Sequence, residues 1–322
     1  MLPAQAVANI DTAQRALLRQ IRPASLDAVL AGAHTSADGL ASLSGRAPSR
    51  WSLYASPLAR YEAFDAKTAG TRDIDGWGAG LDVGAIRHFG QFSLGFSGYY
   101  LRSRLDGSGY ESQSGTYGTL AVLRYQPQSC RTGFSPWVEA AAGYAFTDTD
   151  QDRRDALGGG HNADLNQHTV RGSLTFGVDF NPVPALRFTP IAGLDYTWTR
   201  QGGYREDGGS LRLDVRSARL NSLRLRVGGE AEYGVSNRVS LLGYAFLRQE
   251  LGDRQTSLNS RVANTPIRFV SRGEKYGRSS GNFGLGLSYR ATETLTLSAV
   301  YDAVIGDHQQ GHQINLGLGV SF

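Results

Sequence analysis

The sequence has 322 residues, a formal net charge of +4 and 40% hydrophobic residues, a balance found in both soluble and membrane proteins. It contains no run of about 18 apolar residues, which excludes a transmembrane helix. The single cysteine excludes an internal disulfide. The 41 glycines and 15 tyrosines are unusual for an ordinary enzyme, and favour close backbone packing and surfaces that are partly apolar and partly hydrated.

The first 46 residues have helical periodicity. Their apolar positions recur three or four apart, at Ala6, Ile10, Ala13, Leu17 and Ile21. Arg15, Arg19 and Arg22 lie between these positions, and Pro23 ends the pattern. The small side chains that follow predict a thin helix, which fits a narrow pore or the outside of a soluble sheet. The start has no charged segment followed by an apolar core, so we expect either a soluble protein or the C-terminal part of a longer secreted chain.

From residue 47 onward the hydrophobic period changes to two, which is typical of β-strands. We predict twelve strands, an even number, each near or above the length that a tilted strand needs to cross a bilayer. They cover residues 50–64, 75–89, 91–105, 114–125, 134–147, 168–180, 186–200, 219–233, 238–251, 279–290, 294–305 and 311–322.

The two faces of these strands differ in polarity. In the sixth strand Val170 and Phe176 share one face, and Arg171 and Thr175 share the other. This alternation fits a soluble β-sandwich with outward charges, or a transmembrane barrel with charges in its lumen. For the barrel, the predicted lumen-facing charges are Glu62, Asp82, Arg124, Glu139, Arg171, Asp179, Asp195, Arg224, Arg226, Glu230, Glu232, Arg290 and Asp302.

The lengths of the connections favour the barrel. Short connections alternate with long ones, the long ones covering residues 65–74, 106–113, 148–167, 201–218 and 252–278. Such alternation is typical of short periplasmic turns and longer external loops. The longest loop is basic, and residues 265–270 at its centre predict a hairpin arm, whose role as a contact for anionic lipopolysaccharide or as a solvated loop stays open.

The last eight residues resemble the C-terminal assembly signal of bacterial outer-membrane barrels. The resemblance rests on Asn315, Gly317, Val320 and the terminal Phe322, counted back from the carboxyl terminus. A glycine- and tyrosine-rich barrel of about twelve strands, this signal and a helical segment directly ahead of the first strand together resemble the C-terminal translocator domain of autotransporters, the type V secretion family.

The resemblance implies an all-β fold, a 12-stranded antiparallel transmembrane β-barrel with an N-terminal α-helix in the lumen. Residues 1–46 would be the helical linker and pore plug, and residues 47–322 the translocator in the bacterial outer membrane. A passenger domain N-terminal to Met1 would be secreted through the pore, and the loop at 252–278 would help it fold. The implied partners are outer-membrane lipid and lipopolysaccharide, the barrel-assembly machinery and the passenger, with the barrel itself a monomer.

Within this hypothesis Arg15, Arg19 and Arg22 pair with luminal carboxylates and hold the plug in place. Asn9 is the one asparagine of the helical region, and in some autotransporters an asparagine cleaves the linker by cyclising onto its own backbone. The alternative hypothesis is a free-standing outer-membrane channel or adhesin-type barrel. We expect no metal, cofactor, nucleic acid or enzymatic activity, because the six histidines are dispersed and no serine lies beside a barrel histidine in the sequence.

Overall fold

The computed structural model describes residues 51–64, 74–107, 109–127, 134–155, 157–183, 185–272, 277–307 and 309–322. The predicted helix, with Asn9, Arg15, Arg19 and Arg22, lies outside the described residues and stays a prediction. Within the described part, no helix is long and apolar enough to span a bilayer.

The described residues form seventeen β-strands. They are β1 Trp51–Phe64, β2 Ile74–Phe89, β3 Phe92–Gly107, β4 Tyr110–Tyr125, β5 Phe134–Arg154, β6 Gly160–Val183, β7 Leu186–Gln201, β8 Tyr204–Arg205, β9 Asp207–Gly208, β10 Leu213–Val215, β11 Ala218–Gly234, β12 Val239–Glu250, β13 Ser257–Val262, β14 Arg268–Arg272, β15 Ser279–Arg290, β16 Leu295–Gly306 and β17 Gln309–Ser321.

Twelve of these strands form a closed barrel. β1 to β7, β11, β12, β15, β16 and β17 pair antiparallel in chain order, and β17 returns to pair with β1. At the seam Leu53 lies opposite Val320, and the backbone amides of Trp51 and Phe322 each donate to the other residue's carbonyl, at 3.0 and 2.9 Å. Closure leaves no unpaired edge, which is the condition for a sheet to face lipid. The predicted 12-stranded antiparallel barrel is confirmed.

The polarity of the wall is inverted relative to a soluble protein. On β6 the inward Thr175 is 2% exposed, whereas the outward Phe176 beside it is 54% exposed. The outward face carries a band of aliphatic side chains bounded by aromatic ones, as lipid-facing walls do. Towards the end that holds both Trp51 and Phe322 these aromatics include Phe89, Phe92, Phe134, Phe188, Tyr233 and Tyr289, and towards the other end Tyr61, Trp77, Tyr100, Tyr117, Tyr144, Tyr196 and Tyr301.

Inside the barrel, aromatic rings lie directly over glycines of the neighbouring strand. A Cβ added to Gly118 would meet the Tyr99 ring at 2.2 Å, and one added to Gly84 would meet the Tyr54 ring at 2.5 Å. The absence of a side chain at these glycines therefore makes room for the inward tyrosines. This packing accounts for part of the unusual glycine and tyrosine content.

Three strand boundaries differ from the sequence prediction by about four residues or more. β5 continues to Arg154 and β6 begins at Gly160, so the predicted loop at 148–167 is mostly a strand pair with a short turn. β4 likewise begins at Tyr110, within the predicted loop at 106–113. The outward face of these extensions is polar because it does not meet lipid, so no outward row of apolar residues marks them although the strands persist.

The predicted arm of the long basic loop is present as the β13–β14 hairpin. Its turn includes Asn264 in the left-handed region, at φ 60°. Together with β10 and β8 the hairpin forms a four-stranded sheet at the end of the barrel that carries the long connections.

Candidate functional site: the barrel lumen

The inner face of the barrel wall carries charged side chains of both signs. Nine of the predicted lumen-facing residues are buried: Glu62, Asp82, Arg124, Glu139, Arg171, Asp179, Asp195, Arg226 and Asp302. The other four are half-buried: Arg224, Glu230, Glu232 and Arg290. All of them share the inward parity of their strands. Sequence reasoning missed the inward charges Arg60, Arg187, Arg248 and Glu250. The alternation within each strand would have found them. Arg60 lies two residues from Glu62, and Arg248 and Glu250 alternate with the outward Leu247 and Leu251.

One wall of the lumen, formed by β6, β7, β11 and β12, is rich in arginine. Asp195 Oδ1 lies 3.1 Å from Arg171 Nη2, and its Oδ2 lies 3.6 Å from Arg226 Nε. Arg226 also donates to Thr175 Oγ1 at 2.9 Å. The strand register explains this grouping. Asp195 on β7 lies opposite Arg224 on β11 and Ser173 on β6, so Arg226 and Arg171 are each one inward position away on the neighbouring strands.

A second carboxylate on this arginine-rich wall has its own set of donors. Glu250 Oε2 accepts hydrogen bonds from Arg224 Nε at 2.9 Å and from Ser222 Oγ at 2.7 Å. Arg248 lies opposite Arg226 and faces inward. Four arginines, Arg171, Arg224, Arg226 and Arg248, therefore surround two carboxylates and give this part of the wall a local positive excess. Over the four strands as a whole the charges balance, because Arg187 is accompanied by Asp179, Glu230 and Glu232.

Nearer the end that holds Phe322, the carboxylate of Asp179 is the centre of a hydrogen-bond network. Trp137 Nε1 and Thr189 Oγ1 donate to Oδ1 at 3.1 and 2.9 Å, and Gln126 Nε2 donates to Oδ2 at 3.0 Å. The Arg124 guanidinium lies 3.5 Å from Oδ2 and stacks 4.1 Å from the centroid of the Trp137 ring. Such full pairing lets a charge remain in the wall of a barrel without a large desolvation cost.

The wall across the seam, formed by β1, β2, β16 and β17, is more acidic. Asp82 is fully buried, its Oδ2 accepts from the Tyr54 hydroxyl at 2.9 Å, and its Oδ1 has no hydrogen-bond partner among the described residues. Asp302 Oδ2 accepts from Asn315 Nδ2 at 2.7 Å. In the described part of these four strands, the three inward carboxylates Glu62, Asp82 and Asp302 outnumber the single inward arginine, Arg60. The seam wall thus has an acidic excess, whereas the charges of the arginine-rich wall balance overall.

A serine and a histidine do come together, which sequence spacing did not predict. His88 Nδ1 and Ser93 Oγ lie 2.8 Å apart because the two residues are cross-strand partners on β2 and β3. The argument from neighbouring positions in the sequence was therefore wrong. The pair faces the lumen, and the charged neighbour of His88 is the cation Arg124, whereas a nucleophilic serine needs a histidine that an acid or amide orients.

Beyond the apolar band, ion pairs hold the external connections to the long β5–β6 hairpin. Arg153 Nε donates to Glu206 Oε1 at 2.8 Å, and the Leu213 amide donates to Glu206 Oε2 at 2.9 Å. At the hairpin tip Asp155 Oδ2 lies 2.8 Å from His161 Nε2. The hydrogen bond from His161, together with those from backbone amides, holds the pKa of the Asp155 carboxyl below its ordinary value.

The terminal strand presents two faces. Asn315 is buried on the inner face and Gly317 is half-buried there, whereas Val320 and Phe322 lie on the outer face, Phe322 being 64% exposed. An aromatic ring in this place lies at the lipid interface. The role of these four residues as an assembly signal stays a prediction.

The closed barrel, the outward apolar band and the charged lumen define an outer-membrane β-barrel. The family model described as autotransporter beta-domain matches residues 59–302, more than half of the chain, and the chain therefore belongs to the autotransporter β-domain family of the bacterial outer membrane. The recognition made from the sequence is confirmed.

Curated relatives include outer membrane protein B of Rickettsia conorii, 26% identical over 182 residues, which are 55% of this chain and 11% of that protein. The corresponding protein of Rickettsia japonica is 28% identical over 159 residues, 48% of this chain and 10% of that protein. The chain thus spans about a tenth of the length of these relatives.

Solved structures agree on the fold. The translocator domain of autotransporter NalP from Neisseria meningitidis has a TM-score of 0.73 at 14% identity, covering 99% of this chain and 98% of that one. The beta domain of the Bordetella autotransporter Brka has a TM-score of 0.56 at 16% identity, covering 84% and 99%.

Proposed function

We propose that this barrel is the translocator through which a passenger domain, N-terminal to Met1, is secreted across the outer membrane. Residues 1–46 then occupy the lumen as a helical plug. The observation that carries the proposal is the closed twelve-stranded wall that is apolar outside and lined inside by charges of both signs.

The inner wall is suited to a moving polar chain. Hydroxyl groups pair across strands, with Ser114 and Thr149 at 2.9 Å and Thr116 and Thr147 at 2.9 Å. Side chains that already satisfy one another have little to gain from a passing peptide, so the chain meets many weak contacts and no deep energy minimum. The internal pairing of luminal charges has the same effect.

The acidic excess of the seam wall supports the plug. The first described residue, Trp51, lies at the same end of the barrel as Phe322, so a plug formed by the preceding residues would enter the lumen from that end. The acidic wall then offers Asp82 and Glu62 to the arginines predicted on the helix, Arg15, Arg19 and Arg22. Partly desolvated, charge-assisted bonds of this kind hold a helix better than surface ion pairs do.

The partners of this function are the passenger, which is the transported substrate, and the barrel-assembly machinery, which would recognise the terminal strand from Asn315 to Phe322. The barrel acts as a conduit and performs no catalysis, and one copy suffices because the wall closes within a single chain. Asn9 would be the site of linker cleavage if the passenger is released within the pore.

A surface-display experiment tests this function. A signal peptide and an epitope-tagged reporter are placed upstream of Met1, and intact cells are treated with protease. We expect the reporter to be cleaved from the cell surface while the barrel stays in the membrane. The control is the same reporter without the barrel, which should remain protected. A folded, membrane-inserted barrel with a protected periplasmic reporter would instead support a free-standing channel.

A further inference from the structure

Three basic side chains form a row on the outer face of the barrel. His168 on β6 lies directly opposite Arg200 on β7, and Arg200 lies directly opposite Arg219 on β11. Both arginines are exposed and His168 is partly exposed. We call these three residues the basic row.

The basic row lies at the external margin of the lipid-facing band. From Phe188 to Trp198, every outward residue of β7 is apolar or aromatic. These ten residue steps span about 25 Å along the membrane normal, at about 3.3 Å per residue and a tilt of about 40°. That distance equals the height of the apolar band of outer-membrane barrels. Arg200 is the next outward residue, so it lies at the depth of the lipid headgroups of the outer leaflet.

The positive charge of the row is not neutralised within the protein. Neither Arg200 nor Arg219 forms an ion pair in the described part of the chain. Like charges directly opposite each other on paired strands are destabilising. Two acids lie beside the row without pairing with it: Asp148 on β5 is opposite Asn166 of β6, and Asp253 Oδ2 accepts from the Asn221 amide at 3.2 Å. An external anion between the two guanidinium groups would remove the repulsion.

The surface directly below the row is suited to acyl chains. Val170 and Tyr196 are exposed on the outward face, next to Trp198. The Tyr144 hydroxyl lies 2.7 Å from His168 Nδ1, and a tyrosine that donates to Nδ1 leaves Nε2–H as a donor for a ligand. Donors for an anion therefore lie immediately above an apolar face, which is the arrangement of an anionic lipid.

We propose that the basic row binds a phosphate group of the phosphorylated glycolipid that forms the outer leaflet, with the acyl chains of that lipid lying on the apolar face below. Two guanidinium groups on adjacent strands match the oxygens of one phosphate, because each presents planar paired donors. The site rests on the outer-membrane location of the barrel and is independent of passenger transport, so failure of one leaves the other standing.

A binding experiment on the full chain in detergent tests this site. Bisphosphorylated lipid A is titrated against the protein, and the lipid-bound fraction is measured by native mass spectrometry. The test variant is Arg200→Gln/Arg219→Gln. The matched control is Arg87→Gln/Arg238→Gln, which removes two exposed arginines at the opposite end of the barrel. Heat-modifiable migration on gels verifies that each variant is folded.

We expect one lipid to bind the unchanged protein and the control with equal affinity, and the test variant to bind about tenfold more weakly or worse, because it loses two charge-assisted contacts. The charge-conserving variant Arg200→Lys/Arg219→Lys should retain most of the affinity. Dephosphorylated lipid A and inorganic phosphate alone should bind poorly, since the site uses both charge and acyl chains. Equal affinity of the test and control variants, or of phosphorylated and dephosphorylated lipid, would overturn the proposal.

Discussion

Asp195 shows how single luminal residues stabilise the barrel. It lies between Arg171 and Arg226, which belong to the strands on either side of its own. Two inward arginines so close together need a shared anion, because buried charges of like sign repel strongly in a medium of low dielectric constant.

We expect Asp195→Asn to lower the free energy of unfolding by about 3 kcal/mol, because removal of one partner leaves buried positive charge poorly compensated. Denaturant unfolding of the barrel in lipid vesicles, followed by tryptophan fluorescence, measures this change. The control is Asp207→Asn, at an exposed external position. Identical unfolding midpoints for the two variants would show that Asp195 is not the centre of this network.

Asp155 carries a prediction about pH. Its Oδ1 accepts from the amides of Leu157 and Gly159 at 2.9 and 2.8 Å, and His161 binds its other oxygen. Because these bonds depress the pKa of the carboxyl in the folded state, their stabilisation is present at neutral pH and is lost as pH falls below about 4 and through the folded-state pKa.

We therefore expect the amides of Leu157 and Gly159 to be protected from hydrogen exchange between about pH 5 and 7, and to lose protection below about pH 4. Exchange corrected for the intrinsic rate and resolved by mass spectrometry measures this. Asp155→Ala, which removes the acceptor, should be unprotected at every pH, whereas the neighbouring exposed Asp152→Ala should behave as the unchanged protein does. Protection that is independent of pH and of Asp155 would refute this role.

At the scale of elements, β17 both closes the ring and contributes to the two faces of the wall. Its outward residues Leu316 and Leu318 face lipid, and its inward Asn315 is bonded to Asp302 on β16. Phe322 continues the outward row at the aromatic margin, where its backbone pairs with Trp51. The end of this strand is thus held both by the backbone pairing at the seam and by the aromatic ring at the lipid interface.

We expect Phe322→Ala to reduce several-fold the amount of folded barrel in the outer membrane, because the terminal aromatic is lost from the lipid interface. Heat-modifiable migration of the membrane fraction measures assembly. Phe269→Ala removes an exposed aromatic from the external β13–β14 hairpin and should leave assembly unchanged. Equal losses in the two variants would mean that the position at the carboxyl terminus has no special role.

The strand elements also show what sequence periodicity reveals. The membrane part of β6 was predicted because Val170, Leu174 and Phe176 alternate with polar residues, as a wall between lipid and lumen requires. Its continuation from Gly160 was not predicted, because residues such as Asn162 are polar on the outward face too. Outside the bilayer the outward face meets water, and only the backbone ladder shows that the strand continues.

At the scale of the whole molecule, the closed barrel and the acidic excess of its seam wall lead to one prediction about residues 1–46. If this segment fills the bore, its removal should leave an open, water-filled channel. The acidic wall with Asp82 and the arginine-rich wall with Arg226 would then both face water.

We expect the protein lacking residues 1–46 to show steady open conductance in planar bilayers, whereas the full chain stays nearly closed. Arg15→Gln/Arg19→Gln/Arg22→Gln should open intermittently, because the plug remains but its ion pairs with luminal carboxylates are lost. The Lys-for-Arg counterpart at the same three positions should stay closed. Unchanged conductance after the deletion would refute the plug.

The sequence alone predicts the fold class, the number of barrel strands, the inward parity of the charges and the family. These properties depend on alternation along one strand and on connection lengths, which are local. The tertiary structure decided which charges meet, because Asp195 with Arg171, His88 with Ser93 and the basic row all depend on register between strands. Register is set by hydrogen bonding between distant segments, and a shift by one residue would send every side chain to the other face.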